Sequence, residues 1–571
     1  MDGAIEFRLN GKSVRVADVS PNITLLEWLR ASGLTGSKEG CAEGDCGACS
    51  VAIVDRDAQG KSCYRAINSC LVPLPLMAGR DIVTVEGVAN GKPHPVQSAM
   101  VENHGSQCGY CTPGFIMSLF EGYHREDLKT KAQLQEQLCG NLCRCTGYRA
   151  IYEAAVEAFA QRSDRMPLNS ETRELEAVFY ARNGETFLRP GSLPELFKLM
   201  ADYPSSRLIA GGTELGLEIS KRFRKFETLI SLEAVAELRE ITRDKHKWTV
   251  GAATTLTQLE DKLGKEFPAL GEMLRWFGSR QIRNRATLGG NLVTASPIGD
   301  CAPVLLALDA KVVIASANNE RVLPIDEFFI SYRKTALASN EILKAVIVPA
   351  TGRRQKFYKV SKRREMDIST VAAGFVIELD PDNVVTHIRI AYGGVALTPL
   401  RARKTEQALL GKKWNSETIA AALTILQSEF APISDVRGSA GYRQQLIASL
   451  FEKFFRDDSA RESSSIESAA PPARRPRPHE SAHKHVTGEA IYVDDATGGQ
   501  RMLEVWPVCS PHAHAKILRR DATAARGMRG VAAVLLAEDV PGLNDVGAVR
   551  HDEILLADRD VFYHGHIVAL V

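Results

Sequence analysis

The chain has 571 residues, of which 44% are hydrophobic and 25% charged, and its formal net charge at pH 7 is +2. This length predicts several domains, and the balanced charge argues against nucleic acid or an anionic membrane as a partner. No apolar run reaches the roughly 20 residues of a membrane helix, and the N-terminus lacks a signal-peptide core, so we expect a cytoplasmic protein.

The predicted elements change character along the chain. Alternating apolar and polar residues around Asn10-Gly11 predict a β-hairpin, followed by a helix at 24–32 and a strand at 50–54. From Pro95 to about Arg162 the pattern is helical, with four stretches broken at 107–113 and 140–147. Two α+β units follow, and residues 457–480 have the composition of a linker.

Cysteine is concentrated near the N-terminus, where ten of twelve cysteines lie between Cys41 and Cys145. Without a signal peptide, this clustering indicates metal or redox chemistry rather than disulfides. A first quartet has the spacing of a plant-type [2Fe–2S] ferredoxin: Cys41, Cys46, Cys49 and Cys70. The small residues between them let backbone amides approach a cluster. The alternative is a four-thiolate zinc site, although zinc sites usually come as two separated Cys-x2-Cys pairs.

A second quartet consists of two pairs, each just before a predicted helix: Cys108, Cys111, Cys143 and Cys145. Two helix N-termini facing one anionic cluster would stabilise its charge, and zinc is again the alternative. The remaining cysteines are expected to be buried small hydrophobic residues: Cys63, Cys139, Cys301 and Cys509.

Taken together, the sequences GCAEGDCGACS, QCGYCTPG and NLCRCTGYR resemble the N-terminal iron–sulfur region of the molybdenum hydroxylases. The resemblance implies that the eight cysteines of the two quartets bind two [2Fe–2S] clusters.

Two glycine pairs indicate a further cofactor site. Gly211-Gly212 separates a strand from a helical stretch, so its amides can approach a diphosphate, although alone such a pair is more typical of a simple turn. A second pair, Gly289-Gly290, leads into a small-residue loop that ends at Asp300. Together these segments resemble the FAD-binding domain of the same family.

That resemblance implies that Phe277 stacks on the flavin and that Asp300 binds the ribityl or adenosine side. Without it, a core position would be the better interpretation of Phe277. The full set of implied FAD contacts is Arg207, Leu208, Ile209, Ala210, Gly211, Gly212, Thr213, Glu214, Leu215, Phe277, Thr287, Gly289, Gly290, Asn291, Asp300, Leu343 and Lys359.

The predicted fold class is multidomain α+β. We expect a ferredoxin-like β-grasp domain (1–88), a four-helix [2Fe–2S] domain (89–163), an α+β FAD-binding domain (174–350), an α+β C-terminal flavoprotein domain (352–456), a linker (457–480) and the incomplete start of a molybdenum-binding domain (481–571). The last assignment depends on the stretches HVTGEA, YVDD and AHAK, which resemble the opening of that domain.

The resemblance implies an oxidoreductase whose clusters and FAD pass electrons from a molybdenum site to NAD. The stretch FFISYRKT resembles the purine-oxidising members, which implies hypoxanthine or xanthine as substrate. An enzyme that oxidises aldehydes or N-heterocycles, an inactive product, and oxygen as the final acceptor stay open.

The family's molybdopterin-binding and substrate-attacking residues lie beyond Val571. We therefore expect no catalytic residue of the molybdenum site in this chain, and no xanthine hydroxylation by the chain alone. A homo-oligomer or a partner subunit carrying molybdopterin is expected. The apolar stretch 567–571 predicts a strand that lacks its sheet partners.

Overall fold

The computed structural model describes residues 3–57, 59–89, 91–160, 162, 173–456, 478–496 and 502–571. The chain divides into two units, Met1–Ile491 and Tyr492–Val571, and each is described by itself. Within the described ranges, no helix is both long and apolar enough to cross a bilayer. Most of the predicted linker, 457–477, lies outside the described residues.

The N-terminal part is a five-stranded sheet with one helix. Its elements are β1 (Ile5–Leu9), β2 (Lys12–Val16), α1 (Leu25–Ala31), β3 (Ser50–Arg56), β4 (Ser62–Asn68) and β5 (Asp81–Val83), in the sheet order β2-β1-β5-β3-β4. The predicted hairpin turns at Asn10 and Gly11, whose φ angles of 49° and 80° suit these two residue types. Thr24 begins the predicted helix with a reciprocal capping box to Glu27.

Four helices follow, as predicted: α2 (Pro95–Glu102), α3 (Thr112–His124), α4 (Lys131–Leu138) and α5 (Arg149–Ala160). Helix α3 is central, because nearly all of its residues are buried. Pro113 occupies its first turn, where a missing N–H costs no helical hydrogen bond.

The next part contains three sheets, of order β6-β7-β9-β8, β10-β11-β16-β12-β13 and β14-β15. Its strands are β6 (Val178–Arg182), β7 (Glu185–Arg189), β8 (Arg207–Ile209), β9 (Thr228–Ser231), β10 (Ile241–Arg243), β11 (Lys247–Gly251), β12 (Lys311–Ala315), β13 (Glu320–Pro324), β14 (Phe329–Ser331), β15 (Lys334–Thr335) and β16 (Ile342–Pro349). Its helices are α6 (Leu193–Asp202), α7 (Leu215–Ser220), α8 (Leu256–Leu263), α9 (Pro268–Arg275), α10 (Arg280–Arg283), α11 (Leu288–Val293) and α12 (Cys301–Ala307). The first sheet shares a hydrophobic core with the N-terminal sheet, since Phe187 and Leu229 pack in one cluster with Phe7 and Ile53.

A four-stranded antiparallel sheet and three helices come next: β17 (Arg354–Val360), β18 (Val371–Leu379), β19 (Val385–Gly393), β20 (Leu400–Arg401), α13 (Arg403–Leu409), α14 (Ser416–Glu429) and α15 (Ala440–Arg456). Aromatic side chains fill the space between sheet and helices, with Phe375 stacked on Phe454 at a centroid distance of 4.8 Å. The short helix α16 (Ala482–Thr487) then packs on α2 and α3.

The second unit contains α17 (Val493–Ala496), β21 (Pro507–Cys509), β22 (Ala515–Lys516), α18 (Thr523–Arg526), β23 (Asp560–Val561) and β24 (Ile567–Leu570). The prediction that 567–571 lacks sheet partners is wrong. Strand β24 pairs antiparallel with β21, and Leu570 exchanges two backbone hydrogen bonds with Leu535 on its other edge. Residues 35 and about 60 positions earlier supply these partners, which the local apolar pattern cannot reveal.

The four cysteines outside the quartets only partly match their prediction. Cys301 is buried, whereas Cys63 and Cys139 are half-buried and Cys509 is exposed. Cys509 lies on β21, whose three residues are all exposed, whereas Ala569 on the paired strand β24 is buried.

Candidate iron–sulfur and flavin sites

The structure brings the first cysteine quartet together as two pairs. Cys41, Cys46 and Cys49 lie in the loop before β3, and Cys70 lies in a 3₁₀ turn, Ser69–Leu71, after β4. The Sγ atoms of Cys49 and Cys70 are 3.3 Å apart. The backbone N–H of Cys46 donates to Cys41 Sγ at 3.3 Å, and the two side chains are hydrogen-bonded.

One thiol of each pair is predisposed to ionise. The side-chain hydrogen bond from Cys46 lowers the pKa of Cys41 to about 5, and the one from Cys70 likewise lowers the pKa of Cys49. The thiolate is the form that binds metal, so both pairs have the chemistry that a cluster requires.

The second quartet is also paired. Cys108 and Cys111 precede α3 and Cys143 and Cys145 precede α5, with Cys108 beside Cys145 and Cys111 beside Cys143. Burial alone would raise the pKa of Cys143, but hydrogen bonds from the hydroxyl and N–H of Thr146 outweigh it and lower that pKa.

The paired arrangement fits a binuclear cluster. A [2Fe–2S] cluster needs two thiolates at each of two irons, whereas a structural zinc site gathers four ligands around one point. Two separated thiol pairs in each quartet match the first requirement better.

The Asn141 side chain lies where three parts of the chain meet. Its Nδ2 donates to the carbonyl of Gly47, between Cys46 and Cys49, at 3.3 Å. Its Oδ1 accepts from Ser118 of α3 at 2.6 Å and from Gln281 of α10 at 2.9 Å. In addition, the N–H of Leu142 donates to the carbonyl of Cys46 at 3.0 Å. One buried amide therefore connects both quartets to the part of the chain that carries the glycine pairs.

A buried ionic network reinforces the same junction. The carboxylate of Glu121, which is fully buried on α3, accepts from the N–H of Ala66 and the side chains of Gln137, Arg280 and Asn284, each at 3.2 Å. Burial alone would raise its pKa, but the guanidinium groups of Arg280, Arg125 and Arg65 outweigh it and hold the pKa below its usual value.

Helix α7 lies directly against the first quartet. A Cβ at Gly216 would overlap the carbonyl of Leu71, and the Ser220 hydroxyl donates to the carbonyl of Ala42 at 2.7 Å. Ile282 packs on the cluster of buried side chains that includes Cys49 and Cys70. The residues after Gly212 are thus in contact with both ends of the first quartet.

The implied FAD contacts lie at the ends of several elements. Strand β8 consists of Arg207, Leu208 and Ile209, the following loop of Ala210, Gly211, Gly212, Thr213 and Glu214, and Leu215 begins α7. Phe277 follows α9, Thr287 caps α11, and Gly289, Gly290 and Asn291 lie within α11. Asp300 precedes α12, Leu343 is on β16 and Lys359 is on β17. The loops of the two glycine pairs are adjacent, because the Arg285 side chain donates to the carbonyl of Gly211 at 3.2 Å.

Glycine stands at these positions for different structural reasons. A Cβ at Gly211 would overlap the carbonyl of Arg285, and one at Gly289 would lie 2.6 Å from the Cβ of Ala252. Both glycines are therefore required by packing against the chain itself. Gly290 is exposed, and a Cβ there would meet only Thr287 Oγ1, at 2.9 Å. Of these three, Gly290 is the one whose backbone a ligand can approach.

Polar groups near α11 fit a bound cofactor. The Oδ1 atom of Asn291 is buried without a hydrogen-bond partner, an arrangement that costs free energy unless a ligand or water supplies a donor. Asp300 accepts from Lys359 at 2.9 Å and from Ser369 at 2.6 Å. Phe277 is half-buried against the core, and the Leu343 side chain is part of it.

Sequence reasoning missed Asn141, Gln281, Glu121 and the later residue His485. Asn141 and His485 are the first residues of the stretches NLCRCTGYR and HVTGEA, but nothing in those stretches indicates their contacts. The partners of all four residues are distant in sequence; Glu121 and Asn284, for example, are 163 positions apart. Only a structure can identify such residues in a single sequence.

Five family models match the chain, and together they cover most of it. They are described as a 2Fe-2S iron-sulfur cluster binding domain (7–74), a [2Fe-2S] binding domain (84–156), an FAD binding domain in molybdopterin dehydrogenase (181–351), a CO dehydrogenase flavoprotein C-terminal domain (356–457) and the a/b hammerhead domain of aldehyde oxidase and xanthine dehydrogenase (487–571). The chain therefore belongs to the molybdenum hydroxylase family. It contains the two [2Fe–2S] domains and the FAD domains that form the electron-transfer portion of such an enzyme.

Curated relatives narrow the class further. The chain is 34% identical to xanthine dehydrogenase 1 of Arabidopsis thaliana and 31% identical to xanthine dehydrogenase/oxidase of Mus musculus, in each case over 99% of this chain and 50% of the relative. The chain thus spans about half the length of these xanthine dehydrogenases. Among solved structures, a carbon monoxide dehydrogenase from Hydrogenophaga pseudoflava is 30% identical to this chain, with a TM-score of 0.45. The matched region covers 47% of this chain and 94% of the solved chain.

Proposed function

We propose that this chain is the electron-transfer part of a xanthine dehydrogenase, which delivers electrons from hypoxanthine or xanthine hydroxylation to NAD⁺. The molybdenum site would lie in a further domain or subunit. The observation that supports this proposal most directly is that both cysteine quartets and the FAD-binding domain meet around Asn141. When bound, the clusters carry single electrons and FAD exchanges one or two, which links a two-electron oxidation to hydride acceptance by NAD⁺.

The proposed cluster ligands are the eight quartet cysteines. Cys41, Cys46, Cys49 and Cys70 would hold one [2Fe–2S] cluster, and Cys108, Cys111, Cys143 and Cys145 the other. The chain fixes the distance between the two sites by the hydrogen bonds from Asn141 and Leu142 to the loop of the first quartet. It also excludes water at Cys49 and Cys70, which are both buried.

For FAD, we propose that the backbone at Gly290 and the Asn291 amide bind the cofactor, with Asp300 on its ribityl or adenosine side. The Asp300 carboxylate is held by Lys359 and Ser369, so Lys359 would orient Asp300 rather than meet a phosphate directly. Phe277, Thr287, Leu343 and the segment 207–215 remain proposed contacts, as the resemblance implies. A cytoplasmic location and an assembly with a molybdenum-containing partner also stay predictions.

The purified 571-residue chain tests this proposal. Prepared anaerobically, it should contain about four irons, show two distinct [2Fe–2S] signals in electron paramagnetic resonance, and bind FAD non-covalently. It should oxidise NADH with an artificial acceptor, but form no NADH from xanthine alone. Stoichiometric zinc in place of iron, or xanthine-dependent NADH formation by the pure chain, would contradict the proposal. Adding the molybdenum-containing part and comparing xanthine with an aldehyde then determines the substrate class.

Asn291→Ala tests the flavin site separately. In the flavin-free protein, Oδ1 of Asn291 has no hydrogen-bond partner. Removing this atom should therefore leave the stability of the flavin-free protein unchanged or slightly higher. If that atom accepts a hydrogen bond from FAD, the dissociation constant for FAD should rise about five-fold. Isothermal titration of the flavin-free protein measures the effect, with the exposed Asn318→Ala as matched control. A variant that loses stability but binds FAD normally would remove Asn291 from the site.

A further inference from the structure

A short segment after residue 477 packs on both cysteine regions of the first unit. Val486 of α16 is fully buried in the core of the four-helix part, and its carbonyl accepts from Gln97 at 2.9 Å. Gly488, with φ of 84°, ends α16, and a Cβ there would come within 3.1 Å of the Gly36 α-carbon. The Lys38 ammonium donates to the Ala490 carbonyl at 3.4 Å. This segment, 479–490, thus contacts the four-helix part and the start of the loop that carries Cys41.

His485 on this segment lies against the turn between Cys108 and Cys111. Its ring faces Gly109 so closely that a Cβ on that glycine would overlap the imidazole. Gly109 has a φ of 83°, so glycine is required there for its conformation as well as for the contact. His485 is 6% exposed, whereas Cys108 is exposed. The imidazole therefore covers one side of a turn whose neighbouring thiol is open to solvent.

Hydrogen bonds hold this imidazole in one orientation. Thr112, next to Cys111, donates from its hydroxyl to Ser106 Oγ at 2.9 Å. Ser106 Oγ lies 2.8 Å from Nδ1 of His485 and forms a hydrogen bond with it, whose direction depends on the imidazole tautomer. Ser106 and Thr112 are both almost completely buried, which protects the chain of bonds from competition with water. The His479 ring stacks on the outer side, with centroids 5.7 Å apart.

We propose that His485 is a positioning residue for the second [2Fe–2S] site. Its imidazole, oriented by Ser106 and Thr112, holds the Gly109 backbone in the conformation in which Cys108 and Cys111 can both reach the cluster. The inference depends on the proposed function, because it presupposes a cluster on the second quartet. It assigns to a residue more than 330 positions beyond the quartet a role in shaping that quartet.

His485→Ala in the full 571-residue chain tests this role. The variant loses both the hydrogen bond and the ring contact, so the second cluster should transfer its iron to a chelator about five-fold faster than in the wild type. Its paramagnetic resonance signal should also broaden and its reduction potential should change, because loop conformation and solvent access set both. The signal and potential of the first cluster should stay as they are. His483→Ala, an exposed histidine on the same helix, is the matched control and should change neither cluster.

His485→Asn separates ring packing from hydrogen bonding. Its side-chain amide can donate or accept and so can replace Nδ1 as the hydrogen-bond partner of Ser106. It should therefore restore part of the wild-type rate of iron loss even if His485→Ala folds poorly. The proposal would be overturned if the signal, the reduction potential and the rate of iron loss of the second cluster were unchanged in both variants. Equal effects on the two clusters would overturn it as well. Failure of the proposed function would look different, because the wild-type chain would then lack the second cluster signal altogether.

Discussion

Cys46→Ser should reduce the iron content from about four to about two atoms per chain and remove one of the two [2Fe–2S] signals. Cys46 is hydrogen-bonded to Cys41 through both side chain and backbone, so its loss disrupts one complete thiol pair of the first quartet. The second quartet lies on the other side of Asn141 and uses different loops. Its signal should therefore stay, and oxidation of NADH by the flavin with an artificial acceptor should continue.

The matched control for this variant is Cys63→Ser. Cys63 is on the neighbouring strand β4, is half-buried and belongs to neither quartet. It should retain both signals and the full iron content. Loss of both signals in Cys46→Ser with normal folding, or loss of one in Cys63→Ser, would show that the quartets have been assigned wrongly. Cys143→Ser should give the reciprocal result and remove the other signal.

Glu121→Gln should destabilise the first unit by about 3 kcal/mol, because it removes the nearer carboxylate partner of a buried arginine. That arginine is Arg280, whose side chain is 3% exposed and whose Nε lies 3.2 Å from the Glu121 carboxylate, whereas its other partner, Glu260, lies at 3.6 Å. The amide would also place N–H groups against the donors of Gln137 and Asn284. We expect the apparent unfolding temperature to fall by roughly 5–10 °C.

The same variant should change the acid sensitivity of the fold. The folded pKa of Glu121 is below its ordinary value of 4.5, so the ionised carboxylate contributes stability that is fully present above about pH 4.5. That contribution is lost as the pH falls through the lower, folded pKa. The Glu121→Gln variant has no carboxylate at this position to protonate. Its free energy of unfolding should therefore decline less steeply below pH 4.5 than that of the wild type.

Glu126→Gln is the control for the destabilisation and the pH effect. Its carboxylate pairs with Lys61 at 3.5 Å, but both side chains are more than 70% exposed, and exposed pairs contribute little. Urea unfolding monitored from pH 3 to 7 compares the three proteins. Equal stability and equal pH dependence of Glu121→Gln and Glu126→Gln would contradict the role given to Glu121.

The parts of the fold that the sequence predicts are those determined by neighbouring residues. The Asn10-Gly11 turn, the helix near 24–32 and the helix that follows Cys111 each depend on a few adjacent positions, and the structure confirms them. The eight proposed cluster ligands could likewise be identified from spacing, although their ligation stays a proposal.

What the sequence could not predict depends on distant partners. Gly211 could be placed in a turn, but the packing that requires glycine there comes from Arg285, 74 positions later. The pairing of β24 with β21 and the exposure of Cys509 follow from an arrangement of strands that no local pattern contains. The same holds for Asn141, whose three hydrogen-bond partners come from three parts of the chain.

The Asn141 junction has a consequence for biosynthesis. The loop that carries Cys46 is near the N-terminus, yet Asn141, which holds its Gly47 carbonyl, is itself held by Gln281. During translation, the loop therefore leaves the ribosome long before the residues that fix its final shape. Helix α16, which covers the turn between Cys108 and Cys111, is synthesised later still. The final shape of both quartet sites is thus complete only after the first 490 residues of the chain have been made.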